Sequence, residues 1–248
     1  MLRNLKLTIE YDGSNFQGWQ VQIKGSRTVQ AEIEKAFLKI YKQKVHVAGS
    51  GRTDSGVHAL GQVASVKIKT DKTCDEIRRA LNGNLPTDIS ILKIEDVPLN
   101  FHAQYSAKEK TYRYTILNRP SRPSLERSRV LYYPYKLNVR LIRDEVKDLV
   151  GKKDFKSFQS KDPAKLRGTT VRTIKSIKVT KRGDYITIDF TADGFLYRMV
   201  RNLVGTLMEV ASGKRPPGSI KKILSQKNRI YAGVAAKPYG LTLLNVKY

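Results

Sequence analysis

A chain of 248 residues, 40% hydrophobic and 28% charged, is long enough to bury a core and too apolar to stay disordered. Its 47 Lys and Arg against 22 Asp and Glu leave a formal net charge of +25, which opposes compaction and points to a polyanionic partner, nucleic acid first and anionic membrane second. The single cysteine, Cys74, excludes an internal disulfide framework, and no apolar run is free enough of charge for a signal peptide or a membrane span, so a soluble cytoplasmic protein is expected.

Leu5, Leu7 and Ile9 alternate with polar residues and predict a half-buried strand. After the turn YDGSNFQGW, Thr28 is placed to cap a helix whose apolar face is Val29, Ile33, Phe37, Ile40 and Tyr41. Val45–Ser50 and Gln62–Ile68 read as two further strands, separated by the glycine-rich loop GRTDSGVH. A capping box, Thr73 to Glu76, opens a helix that turns Ile77, Ala80 and Leu81 inward, and Ile89–Ile94 reads as another strand.

A second series follows. A strand at Glu109–Asn118 and a short one near Val130 lead to a helix from Asn138, closed by Gly151. Strands Val171–Thr180 and Tyr185–Phe190 flank the turn Arg182-Gly183-Asp184. A long helix is expected from about Phe195 to Ala211, a shorter one after Pro217, and a last strand at Leu241–Val246. The β-α-β-β-α-β order is that of ferredoxin-like and RRM-like units. The expected fold is therefore α+β, with two RRM-like or ferredoxin-like halves, residues 1–104 and 105–248. Their mainly antiparallel sheets are expected to meet around a central basic active-site cleft.

The loop Gly49-Ser-Gly-Arg-Thr-Asp54-Ser-Gly-Val-His58 is the main candidate for chemistry. Three glycines allow tight turns and close approach of a ligand, and an arginine two residues from a carboxylate favours its ionised form. The same composition also suits a structural turn in which Asp54 caps backbone amides and Arg52 lies on the surface. His46, His58 and His102 are scattered and Cys74 stands alone, so no metal site is expected; no P-loop, dinucleotide fingerprint or H-E-x-x-H motif is present.

GRTDSGVHA closely resembles the active-site signature of TruA-type tRNA pseudouridine synthases, G-R-T-D-x-G-V-H. Further matches run in order along the chain: Tyr11-Asp-Gly, Gly18-Trp19-Gln20, Asn84-Leu-Pro86, Phe101-His-Ala103, Lys110-Thr-Tyr112-Arg-Tyr114, Phe158, Phe195 to Asn202, Gly205 and Gly240-Leu241. Ser55 stands where the family often has Ala, and Ala235-Ala-Lys-Pro-Tyr replaces the usual approach to Gly240; neither removes a group the chemistry needs.

The resemblance implies a cofactor-free isomerisation of uridine to pseudouridine, with Asp54 as the catalytic aspartate. It implies that Tyr112 stacks on the target base and that Arg201 is the basic partner of the carboxylate. It further implies that Arg52 helps displace the base from its helical stack and that Leu241 belongs to the RNA-binding set. Position alone reads Tyr112 as a core residue sharing a strand face with Tyr114, and Arg201 as a solvated helix residue. The resemblance also implies tRNA as partner, modification at positions thirty-eight to forty of the anticodon arm, and a homodimer.

Basic clusters at Lys108/Lys110/Arg113, Arg119/Arg122/Arg127/Arg129, Lys161/Lys165/Arg167, Lys214/Arg215 and Lys221/Lys222 fit a broad RNA footprint. A non-catalytic RNA-binding protein shares that surface but has no need of Asp54. A uridine C5-methyltransferase needs a cysteine nucleophile and a methyl-donor pocket, and Cys74 sits inside a helix capping box instead.

Overall fold

The computed structural model describes residues 1–22, 25–161 and 168–248. The chain divides into two compact units, one of residues 1–108 with 242–248, the other of residues 109–241. The cut near residue 105 expected from sequence thus lies at 108/109, and the tail expected in the second half returns to the first unit.

In the first unit, β1 (Leu2–Tyr11) is the central strand, pairing antiparallel with β3 (His58–Lys69) and with β4 (Ile89–Val97). Leu5, Leu7 and Ile9 are wholly buried, as period-two alternation requires of a strand with one covered face. The α1 helix (Val29–Tyr41) starts where the Thr28 hydroxyl accepts the Ala31 amide at 3.3 Å, and it buries Val29, Ile33 and Phe37. The α2 helix (Cys74–Asn82) has the full capping box: Glu76 N donates to Thr73 Oγ1 at 3.2 Å and Thr73 N to Glu76 Oε2 at 2.8 Å.

Strand β2 is Ala48–Gly49 alone, much shorter than the alternation at Val45–Ser50 suggests. Pairing with β3 is confined to those two residues, and the Val47 amide, which by the same register faces away from β3, donates to Glu34 Oε1 of α1 at 2.9 Å. The β-α-β-β-α-β order with sheet order β4-β1-β3-β2 is the ferredoxin-like arrangement. Strand β10 (Leu241–Lys247) adds to it by pairing parallel with the start of β3, Thr242 opposite His58 and Leu243 opposite Ala59.

In the second unit, β5 (Glu109–Leu117), β9 (Tyr185–Ala192), β8 (Val171–Arg182) and β7 (Gly151–Asp154) form an antiparallel series in that order, and β6 (Leu131–Tyr132) pairs parallel with β5. Helices α3 (Val139–Glu145), α4 (Met199–Ala211) and α5 (Ser219–Gln226) pack together. The α3 helix is shorter than expected: it passes into a 3-10 turn at Val146–Leu149, and Gly151, at φ +99°, opens β7 instead of closing a helix. The α4 helix begins at Met199, not Phe195, because Arg198 adopts a left-handed conformation (φ 57°) that the helix cannot propagate. Among the described residues no helix is long and apolar enough to cross a membrane.

Candidate active site

The GRTDSGVH loop joins β2 to β3, and its backbone is held at nearly every residue. Ser50 N donates to Val63 O at 2.7 Å, and the Ser50 hydroxyl donates to Gln62 Oε1 at 2.7 Å. Gln62, wholly buried in the middle of β3, returns a hydrogen bond from Nε2 to Gly51 O at 3.1 Å. Trp19 N donates to Thr53 O at 3.1 Å, and the Thr53 hydroxyl lies 2.8 Å from that of Tyr11. On the far side of Asp54, Gly56 N and the Ser55 hydroxyl both reach Phe16 O, at 3.3 and 3.1 Å, and Val57 N donates to Asp54 O at 3.2 Å. Asp54 is left half-buried at the crest of this braced turn, while Arg52 is exposed.

Such close braiding needs a glycine opposite the loop. Gly18 takes φ +94°, and a Cβ there would stand 2.6 Å from the Thr53 carbonyl oxygen. Only glycine adopts the conformation and the approach together. Tyr11 lies beneath, 3% exposed, and burial pushes its phenol up to about 12, so it stays a neutral hydrogen-bonding prop. His58 is buried too, its Nδ1 accepting the Gly13 amide at 3.0 Å. Among the described residues no group of three or more His, Cys, Asp or Glu side chains could hold a metal ion.

The second unit carries Tyr112, Arg201 and Leu241. Tyr112 lies on β5, 8% exposed, on the same strand face as the wholly buried Tyr114 and Ile116, and its ring meets that of Phe195 edge-on at 5.2 Å. Arg201, in the first turn of α4, is half-buried; its Nε donates to Ala236 O at 2.8 Å, and its own carbonyl accepts the Ala236 amide at 2.9 Å.

Segment 233–240 ties these elements together. Gly233 N donates to the Thr206 hydroxyl at 2.9 Å and Val234 N to Glu209 Oε1 at 3.0 Å, while a Cβ at Gly205 would collide with the Val234 carbonyl. Farther on, Lys237 O accepts the Tyr114 hydroxyl at 2.7 Å. Leu241 follows at the head of β10 as a 6% exposed residue. Lys110, on the Tyr112 face of β5, is pushed down to about 8 by burial and by the nearby Arg172 guanidinium.

Arg52 and Asp54 thus share one loop of the first unit, and Tyr112, Arg201 and Leu241 are arranged by one strand, one helix and one returning segment of the second. Sequence reasoning matched Tyr11, Trp19 and Thr53 to the family's segments without giving them a part in holding the loop, and it passed over Gln62. Gln62 did carry a signal, as a polar residue inside the otherwise apolar run Ala59–Ala64. Several members of the basic clusters prove to be engaged within the fold. Arg113 makes a two-pronged ion pair with Asp189 at 2.7 Å, Arg215 pairs with Glu209, and Arg119 stands 3.7 Å from Asp184. Lys165 and Arg167 lie outside the described residues.

A family model described as tRNA pseudouridine synthase matches residues 7–106 and 146–248. The chain is 45% identical over 247 residues to tRNA pseudouridine synthase A 2 of Clostridium perfringens and 44% identical over 247 residues to tRNA pseudouridine synthase A of Caldicellulosiruptor bescii. It is 40% identical over the same length to tRNA pseudouridine synthase A of a Thermoanaerobacter species; each alignment covers 100% of both chains. A chain matched along both units by the model, and along its whole length by these relatives, belongs to the tRNA pseudouridine synthase family.

Proposed function

We propose that this chain converts uridine to pseudouridine in tRNA, at positions thirty-eight to forty of the anticodon arm, with Asp54 as the essential carboxylate. The observation that carries this reading is the braced GRTDSGVH turn, which fixes a half-buried carboxylate between backbone hydrogen bonds at Thr53 and Gly56. A catalytic group has to be held in place before the substrate arrives, and this loop is held.

In the reaction the N1–C1′ bond breaks, the uracil turns over, and a C5–C1′ bond forms while C5 loses a proton and N1 gains one. Atoms and electrons balance without an oxidant, reductant or co-substrate, in keeping with a cofactor-free enzyme. Asp54 acts either as nucleophile at C1′ or as base toward a sugar proton; both routes need it ionised. Arg201 is the cation that favours that form. Tyr112 offers a ring face to the base and a hydroxyl for the C5 proton, and Arg52 helps hold the base out of its stack, an extrusion that costs a few kcal/mol. Leu241 belongs to the RNA-binding set. A homodimer acting in the cytoplasm is part of the same reading.

The test is tritium release from tRNA carrying 5-³H-uridine. The parent protein is expected to release tritium and Asp54→Asn to release none, with tRNA affinity within about a few-fold because one charge is small beside the basic footprint. Near-parent turnover by Asp54→Asn would remove Asp54 from the role; tight binding without release by the parent would leave only an RNA-binding protein.

A further inference from the structure

Residues 118–137 lie outside the stretches matched by the family model, so nothing assigns them a role. They fold back on themselves beside β5. The Asn118 side chain donates from Nδ2 to two carbonyls at once, Tyr133 O at 2.9 Å and Tyr135 O at 2.7 Å. Tyr133 N donates to Leu117 O at 2.9 Å, and the Tyr132 hydroxyl bonds the Pro120 carbonyl, so the start and the end of the segment are held together.

This scaffold presents an aromatic ring to solvent. Tyr135 is 71% exposed, and its ring stands edge-on to that of Tyr133 with centroids 5.7 Å apart. An aromatic ring left in water on a backbone fixed by paired hydrogen bonds gains nothing for folding from its position. Around it the segment is strongly positive: Arg119, Arg122, Arg127, Arg129 and Lys136 against a single acid, Glu126, which already accepts the Tyr185 hydroxyl. Arg122, Arg127 and Lys136 are exposed.

We infer that residues 118–137 carry a stacking platform for one unpaired base of the RNA, built on Tyr135 and backed by Tyr133, with Arg122 and Lys136 taking the flanking phosphates. The chemistry favours a nucleic acid over a second copy of this chain, because a copy would bring the same positive charge to a positive face. Base-on-aromatic stacking is indifferent to base identity, so the platform adds affinity and register without reading sequence. This rests on the RNA-modifying reading above and adds a point of RNA contact on the second unit.

The experiment measures binding of unmodified tRNA transcript to the intact chain by fluorescence anisotropy, with turnover followed separately by tritium release. Tyr135→Ala is expected to weaken binding about ten-fold and Tyr135→Phe by less than about two-fold, since the ring face is what stacks. At saturating tRNA, Tyr135→Ala should turn over at the parent rate, so the loss appears in KM and not in kcat. Arg122→Ala should reduce the slope of log affinity against log salt by about one.

Unchanged binding by Tyr135→Ala would overturn the proposal. So would equal losses in the Ala and Phe variants, or a changed sedimentation coefficient with unchanged RNA affinity, which would make the surface a contact between copies. Absence of tritium release by the parent would sink the isomerase reading while leaving the binding measurements to judge the platform.

Discussion

Replacing Tyr11 by Phe deletes one hydroxyl from beneath the Asp54 loop. The Tyr11 and Thr53 side-chain oxygens lie 2.8 Å apart, with the two residues 3% and 6% exposed, so water cannot readily replace the lost partner. Leaving the Thr53 hydroxyl unsatisfied costs about 1–3 kcal/mol. For a chain of this size each kcal/mol lowers the melting temperature by about 2–4 °C. Thr53 directly precedes Asp54, and after the substitution its carbonyl oxygen keeps the Trp19 amide while its side chain has lost the Tyr11 hydroxyl. If the whole cost falls on the ordered state of the loop, kcat drops by at most about a hundred-fold, since about 1.4 kcal/mol is a factor of ten.

Pairing the change with Thr53→Val separates this bond from general damage, because replacing both partners by apolar groups of similar shape is nearly neutral. The double variant should therefore be more stable than the sum of the single losses implies, by about 1 kcal/mol of coupling. Denaturant unfolding and single-turnover tritium release on the four proteins provide the readings. Strict additivity, or a Tyr11→Phe protein that melts and reacts like the parent, would refute the argument that this hydroxyl pair braces the loop.

Gly205→Ala places a methyl group on the Val234 carbonyl, and although Ala favours a helix by about 1 kcal/mol, the forced separation of α4 from segment 233–236 should leave a net loss of about 2 kcal/mol. An Ala variant as stable as the parent in thermal unfolding would contradict that packing. For Lys110 the sign follows from its depressed pKa. Between about 8 and the ordinary 10.5 the native amine is already neutral while the unfolded chain still binds the proton, so its contribution to stability rises with pH across that window. Lys110→Met should therefore raise the melting temperature at pH 7, with the gain shrinking toward pH 10; an equal offset at both would show that desolvation of the ammonium is not its cause.

Much of this architecture is legible in the sequence because its signals are local. Leu5, Leu7 and Ile9 declare a strand by alternation, and the Thr73–Glu76 box declares a helix start by spacing alone; the structure has both. Errors arise where contacts beyond the local pattern decide. The alternation at Val45–Ser50 looks like a strand, yet only Ala48 and Gly49 pair with β3, and the Val47 amide goes to Glu34, thirteen residues upstream. The apolar period from Phe195 is helical, yet the chain turns left-handed at Arg198 and the helix begins only after it. At the site, the motif marks Asp54 but is silent on Tyr11 and Gln62, because the props of a loop are chosen by three-dimensional proximity. Gly18 shows the same limit: its closeness to Thr53 depends on how the two loops fold, which no spacing rule reports.

The return of residues 242–248 to the first unit has a consequence for the nascent chain. Strand β10 covers the start of β3 directly after the Asp54 loop, while the Lys108 amide donates to Lys247 O at 2.9 Å and the Tyr248 hydroxyl to Ala103 O at 2.8 Å. During synthesis, residues 109–241 must all be made between the body of the first unit and the strand that completes it. At ribosomal speeds that leaves the His58–Ala59 edge of β3 uncovered for on the order of ten seconds, an open edge beside the Asp54 loop. A chaperone that shields strand edges, or a pause in translation that prolongs the interval, would act first on that stretch of β3.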